Sequence, residues 1–316
     1  MVSAEEEVSA KALAARVRRP RNRIRDTGAD LVFTIVNTTL LIVVFLLVLY
    51  PLVWVVSASF SDPIAVGSGR VVLLPVDFTV KAYKTIFQYS RVWSGYMNSI
   101  FYAVVGTLVN VGMTILAAYP LSRRDLYGKN FIMGLFVFSM MFSGGLIPFF
   151  LIVNKLGMYD TRWAIIIPQA LSIWNMLIAI TFFRTSFPPE LLEAAQLDGC
   201  NDIQYLTKIV LPLSGPIIAV LALFYAVGHW NQYFTALIFL ASKDLFPLQL
   251  VLRDILIANT IDLNLLEDAK TMAAKAGMRD LLKFALIVVS SVPVLLIYPF
   301  VQKYFVKGLM IGSVKG

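Results

Sequence analysis

The 316-residue chain is 59% hydrophobic and only 15% charged, with a mean hydropathy of +0.77 and a net charge of +8. Soluble domains are roughly 45–50% apolar and about 25% charged, so this composition excludes a soluble globular protein and describes a chain solvated by lipid. One cysteine, Cys200, and one histidine, His229, exclude an internal disulfide and a Cys/His zinc centre.

Crossing roughly 30 Å of hydrocarbon as a helix takes about 20 apolar residues. Six runs meet that need, at 31–56, 96–121, 131–153, 163–183, 209–233 and 284–301. They are continuously apolar rather than alternating, which predicts an all-α integral membrane bundle of six transmembrane helices and argues against a membrane barrel.

In chain order, residues 1–30 form a basic extension carrying Lys11, Arg16, Arg18, Arg19, Arg21, Arg23 and Arg25. It is expected on the cytoplasmic side, disordered or resting on anionic membrane lipid, ahead of a six-helix membrane domain at 31–316. The first run is too long for a signal-peptide core of about 7–15 residues, so no cleavage is expected; small residues near Ala58 give the weaker alternative. An external loop at 57–95 leads to the second run, which contains Gly106 and Gly112 and ends at the cytoplasmic cluster Arg123, Arg124 and Lys129. The third run is broken at 143–148, where Gly144, Gly145 and Pro148 suit either a gate hinge or a packing kink. The fourth holds Pro168 and the polar set Gln169, Ser172, Trp174, Asn175 and Thr181.

A polar elbow at 186–208 follows. The fifth run opens with Pro212 and Pro216 and closes on His229, Trp230, Asn231, Gln232 and Tyr233. Aromatic faces and amides suit a neutral polyol, so Gln169, Trp174, Asn175, His229, Trp230, Asn231 and Tyr233 are candidates for a translocation pathway. The same residues also fit an interfacial aromatic belt and helix-to-helix hydrogen bonding. The second external loop, 241–280, carries Leu248, Leu250, Leu252, Ile255, Leu256 and Ile257, then an Ala- and Met-rich stretch at 265–278. It reads as short surface helices that either dock an external partner or cap the bundle. The sixth run contains Pro293 and Pro299, and an even span count returns the C-terminus, with Lys303, Lys307 and Lys315, to the cytoplasmic side with the N-terminus.

No Asp, Glu, Lys or Arg lies in the first, second, third, fifth or sixth run. Ion-coupled carriers keep ionisable groups in the membrane because the coupling ion binds there, so an externally driven pathway is favoured over a stand-alone ion-coupled sugar carrier. Paired carboxylates and a His/Asp/Glu set are missing from the runs, which disfavours an intramembrane enzyme and leaves no catalytic or metal residues to nominate. No Gly-x-x-x-x-Gly-Lys-Ser/Thr loop occurs, so any ATP is hydrolysed by another subunit. The positive charge is an orientation signal; without an aromatic-interleaved basic face it does not indicate nucleic acid.

Within the elbow, Ser186, Pro188, Pro189 and Glu190 read as a helix start and Gly199 as its stop. Leu191, Leu192, Ala194, Ala195 and Leu197 make this helix too apolar for a free loop, and Glu193 and Asp198 add carboxylates for a basic rim. Amphipathic helices that lie on membranes are rich in Lys and Arg, whereas this one is acidic. A second short helix is expected at 202–208.

Glu193-Ala194-Ala195, Gly199, Ile209, Leu211 and Pro212 resemble the signature loop of binding-protein-dependent ABC importer permeases. Nearly the whole chain is similar to the carbohydrate-uptake branch. Residues 143–148, His229-Trp230-Asn231 and 305–316 resemble permeases for oligosaccharides released from complex polysaccharides such as rhamnogalacturonan or alginate. The resemblance implies a type I importer permease fold whose elbow is a cytoplasmic coupling helix, with Glu190, Glu193, Ala194, Ala195, Asp198 and Gly199 transmitting force and no cofactor of its own. It also implies a second homologous permease, two ATPase subunits binding ATP and Mg, an external solute-binding protein and an oligosaccharide substrate. Cys200 stands where the family often has Ala, and Tyr205 where Phe is common.

Overall fold

The computed structural model describes residues 28–261 and 280–299. The chain divides into two units, Met1–Val53 and Trp54–Gly316. The described part of the first is most of helix α1 (Gly28–Ser59), 32 residues long and apolar all round, as a helix solvated by lipid must be.

The second unit is helical throughout its described residues. Residues 57–95 form a folded cap rather than a simple loop. The Asp62 carboxylate caps α2 (Pro63–Gly67) by accepting from the Ile64 N–H at 2.9 Å. Trp54 Nε1 donates to the Val71 carbonyl at 2.9 Å, and the Phe60 and Tyr83 rings stack at 4.8 Å. α3 (Lys81–Gln88) brings Ile86 into a core shared with Val92, Leu248, Leu281 and Leu286. The long helix α4 (Ser90–Ser122) follows, with one wide π turn at Tyr102–Gly106.

Prolines and glycines then break the apolar runs. The third becomes α5 (Lys129–Met141) and α6 (Leu146–Lys155), bent by 116°. Gly145 sits at the break with φ +84°, a conformation open to glycine and costly for an L side chain. The fourth run, expected as one helix, is two: α7 (Trp163–Ile166) and α8 (Ile173–Ser186). Pro168 removes a backbone donor between them, and Ser172 Oγ starts α8 by accepting from the Asn175 N–H at 3.4 Å. After α9 (Pro189–Leu197) comes α10 (Asp202–Leu213), which contains a π turn at Leu206–Val210 and meets α11 (Gly215–Asn231) at 79°. Pro212 and Pro216 flank that bend, and the buried Ser214 hydroxyl donates back to the Val210 carbonyl at 2.6 Å. α12 (Phe234–Phe239), α13 (Leu248–Ile261) and α14 (Asp280–Pro299) complete the described chain.

Among the described residues three helices, α1, α4 and α14, are long and apolar enough to cross a membrane, and five spans result if each bent pair counts as one. α13 does not rest on a surface at its start: Leu248, Leu250, Val251 and Leu252 are buried in the bundle. The expected helices at 265–278, the N-terminal extension through residue 27 and the 305–316 motif lie outside the described residues.

Two polar clusters mark opposite ends of α4. At one end Asn98 Nδ2 donates to the carbonyls of Asp244 and Phe246 at 2.6 and 3.1 Å, and the Tyr102 hydroxyl donates to that of Leu245 at 2.8 Å. At the other, Arg184 Nη2 donates to the Leu121 carbonyl at 3.1 Å. The rise per residue separates Tyr102 from Arg123 by roughly 30 Å, the thickness of the hydrocarbon layer.

At the first of these ends Asp160, itself at φ +57°, joins the α6–α7 turn to the segment after α12. Its carboxylate accepts from the Ala241 and Ser242 N–H groups at 2.9 and 2.8 Å and from the Ser242 hydroxyl at 2.5 Å. These bonds, the hydroxyl's foremost, hold its pKa below the ordinary 3.8. A depressed carboxylate contributes stability that is present above the ordinary value and lost as pH falls through the folded one. Asp160→Asn tolerates the same backbone but loses charge; it is expected to lower stability by roughly 1 kcal/mol at neutral pH and to flatten the acid side of the profile. Thermal unfolding of the purified assembly between about pH 6 and pH 3 measures both effects.

Candidate functional site

The elbow is built from strong local signals. Ser186 ends α8 instead of capping α9; Pro188 takes the N-cap position with extended backbone and Pro189 the first helical one. After nine residues α9 stops at Gly199, whose φ of +81° closes a Schellman turn. The Gly199 N–H donates to the Gln196 carbonyl at 3.0 Å and the Cys200 N–H to that of Ala195 at 2.9 Å. The chain restarts at once through a capping box, in which Asn201 Oδ1 accepts from the Gln204 N–H at 2.8 Å and Gln204 Oε1 from the Asn201 N–H at 3.1 Å. A C-cap joined directly to an N-cap leaves the corner no slack.

This corner presents Glu190, Glu193, Ala194, Asp198 and Gly199 outward, while Ala195 is buried against Phe183, Tyr205 and Val210. Leu197 is 90% exposed and Ile203 74%, one on each side of Gly199. Two large apolar side chains beside carboxylates on so short a segment are what an interface uses.

Arg123, at the end of α4, ties the corner to the bundle. Its guanidinium pairs with Asp202 at the start of α10, with Asp125 at 2.5 Å, and with the Tyr119 hydroxyl at 3.5 Å. Its side chain is 13% exposed. Asp125 foremost, then Asp202, holds Arg123 firmly charged, and Arg123 in turn pulls the Asp125 carboxyl below its usual range. Lys129 Nζ donates to the Arg123 carbonyl at 2.8 Å. Between this cluster and α9 opens a cleft of about 610 Å³, bordered by Arg124, Arg184, Phe187, Leu192 and Glu193.

The candidate pathway residues are dispersed. Gln169 Nε2 reaches the Thr235 hydroxyl at 3.4 Å, and Asn175 is buried, whereas Trp174 is 63% exposed. Asn231 and Tyr233 are exposed, but Trp230 is buried with its indole N–H on the Ser290 carbonyl at 3.0 Å, a tie between α11 and α14. His229 is buried against α4. The hinge candidates Gly144, Gly145 and Pro148 are exposed at the 116° break. The two polar sets meet through residues that sequence reasoning passed over: the Tyr225 hydroxyl accepts from the Ser172 N–H at 3.1 Å and bonds the Thr114 hydroxyl at 2.7 Å, and Asn110 Nδ2 donates to the Gln169 carbonyl at 3.2 Å. Gly106, Asn110 and Thr114, spaced four apart on an apolar helix, were the available sign. Asn-x-x-Gln at 201–204 was the sign of the capping box, and nothing local pairs Arg123 with Asp202, 79 residues away.

An all-α, multi-pass fold with this elbow defines a membrane permease. Residues 110–311 match the family described as binding-protein-dependent transport system inner membrane component, and the chain belongs to that family. It is 43% identical over 272 residues to the polygalacturonan/rhamnogalacturonan transport system permease protein YtcP of Bacillus subtilis (strain 168), covering 86% of this chain and 94% of that one. Protein LplC of the same organism is 40% identical over 293 residues, covering 93% and 98%. The fold matches, with a TM-score of 0.78 and 35% identity over 88% of this chain and 98% of the other, a chain in the crystal structure of a bacterial ABC transporter involved in the import of the acidic polysaccharide alginate. The chain is thus a non-catalytic membrane subunit of an ABC-type importer, related to sugar-uptake permeases.

Proposed function

We propose that this chain is one half of a heterodimeric, six-span permease that imports an oligosaccharide, with both termini in the cytoplasm and two domains, the basic extension 1–30 and the permease at 31–316. Two ATPase subunits bind and hydrolyse ATP below it, and a solute-binding protein delivers substrate from outside. The names of its relatives favour fragments of a polygalacturonan, rhamnogalacturonan or alginate type of polysaccharide as the cargo.

The observation that carries the coupling role is the rigid corner at Gly199, flanked by exposed Leu197 and Ile203 and clamped to α4 through Arg123 and Asp202. In this reading Glu190, Glu193, Ala194, Asp198 and Gly199 seat in an ATPase groove, buried Ala195 passes the force to the bundle core, and closure of the ATPases moves α9 and α10 as a lever that tips α4 and α11. Exposed Trp174, Asn231 and Tyr233 are better placed to meet sugar than buried Trp230, and the Gly144–Gly145 break serves as the gate hinge.

Reconstitution separates this from an ion-coupled carrier. Vesicles holding the permease pair alone are expected to be inert under ion gradients, and those with ATPases and binding protein to accumulate labelled digalacturonate only with ATP. Gradient-driven uptake by the permease without ATPases would overturn the proposal.

A further inference from the structure

Five buried side-chain atoms find no hydrogen-bond partner among the described residues: Thr107 Oγ1, Asn110 Oδ1, His229 Nδ1, His229 Nε2 and Gln232 Nε2. All lie on two helices, α4 and the end of α11. His229 is 5% exposed and Asn110 2%. The helices run in opposite directions in a fixed register. At one point the imidazole sits directly on Gly106, where a Cβ would meet His229 Nε2 at 2.4 Å. Two turns along α4, Thr114 meets Tyr225, one turn back along α11 from His229. Asn110 therefore falls between the two contacts. Its Nδ2 donates to the Gln169 carbonyl, while its buried Oδ1 is left without a partner. Thr107 adjoins Gly106, and Gln232, the extended residue that closes α11, places its side chain beside the imidazole. The π turn at Tyr102–Gly106 widens α4 immediately beside the imidazole, a local feature that recurs where a helix makes room for function.

So many unmet groups in one place are uncommon in a native interior, and their chemistry selects what meets them. A neutral imidazole offers one donor and one acceptor whichever nitrogen holds the proton; Thr107 offers both, Asn110 Oδ1 accepts and Gln232 Nε2 donates. A bound cation would leave the Gln232 and imidazole N–H groups unmet, and an anion would face Asn110 Oδ1. A hydroxylic oxygen answers donors and acceptors together.

We propose that Thr107, Asn110, His229 and Gln232 form a buried binding site for an O–H group, between the helix that bears Arg123 and the helix that follows the elbow. Water and a sugar hydroxyl share this chemistry. The site stands whether or not the elbow engages an ATPase.

His229 is the single histidine of the chain, so its modification is assigned without ambiguity. In the complete importer in lipid nanodiscs, X-ray radiolysis generates hydroxyl radicals from bound water, and tandem mass spectrometry reads oxidation at His229. Rapid labelling is expected despite burial, and Thr107→Val with Asn110→Leu is expected to lower it on the order of tenfold. Thr107→Ser, which keeps the hydroxyl, is expected to label as wild type, and gel filtration confirms assembly of each variant. Adding digalacturonate during turnover distinguishes the sources: protection of His229 assigns the site to a sugar hydroxyl, unchanged labelling to resident water. His229 unlabelled with and without sugar, or labelled equally in the double variant, overturns the proposal.

Discussion

Gly199→Arg is expected to insert and assemble at wild-type levels yet to abolish oligosaccharide uptake and substrate-stimulated ATPase activity. Two effects combine at this position. The φ of +81° is unfavourable for any L residue, a cost of about 1–2 kcal/mol that weakens the Schellman turn. Within this chain, however, a Cβ at Gly199 meets nothing within 4 Å, so a side chain leaves the backbone there into open space. Its bulk projects instead from the outward corner between Leu197 and Ile203, into whatever surface that corner seats against. Gly199→Ala isolates the backbone effect and is expected to retain most of the uptake, because the turn keeps its other hydrogen bonds. Uptake and ATPase assays in proteoliposomes measure both variants. Full transport by Gly199→Arg would show that the corner does not seat in the ATPase.

Arg123→Ala is expected to reduce uptake about tenfold or more while leaving basal ATPase activity, which belongs to the partner subunits, largely intact. An exposed ion pair would contribute little. Arg123 differs because its side chain is 13% exposed and its planar fork holds Asp125, Asp202 and Tyr119 together. Charge-assisted hydrogen bonds of this kind contribute about 1.5–3 kcal/mol each when one partner is removed, and a tenfold loss of coupling requires only about 1.4 kcal/mol. Both carboxylates are more than half exposed, so water solvates them once the arginine is gone and the fold survives. Lysine cannot bridge two carboxylates with a fixed fork and is expected to rescue poorly. Asp202→Asn keeps an acceptor and is expected to fall between wild type and Arg123→Ala. Equal loss of uptake and basal ATPase activity in Arg123→Ala would point to failed assembly instead of lost coupling.

Part of the molecule is legible in its residues alone. The runs at 31–56 and 96–121 correspond to α1 and α4 because a continuously apolar stretch of that length has only one way to satisfy its backbone in lipid. The elbow helix and its glycine stop are legible for a related reason, since caps are short-range chemistry written in a few adjacent residues. Where sequence and fold part company, a proline decides the outcome. Pro168 splits the run at 163–183 between α7 and α8, and Pro188 displaces Ser186 from the cap position. Apolar content alone does not register a missing backbone donor.

The sequence by itself determined the solvent of this protein, its helical class, its family and the place of the polar elbow with its glycine stop, because composition, run length and capping residues act locally. Only the tertiary structure decided that Trp230 belongs to the α11–α14 packing, that Arg123 joins α4 to the elbow, and that Thr114 bonds Tyr225 and His229 packs on Gly106 where α4 meets α11. Those pairings join residues 60 to more than 100 positions apart. Their partners are chosen by helix crossing and register, which no local pattern encodes.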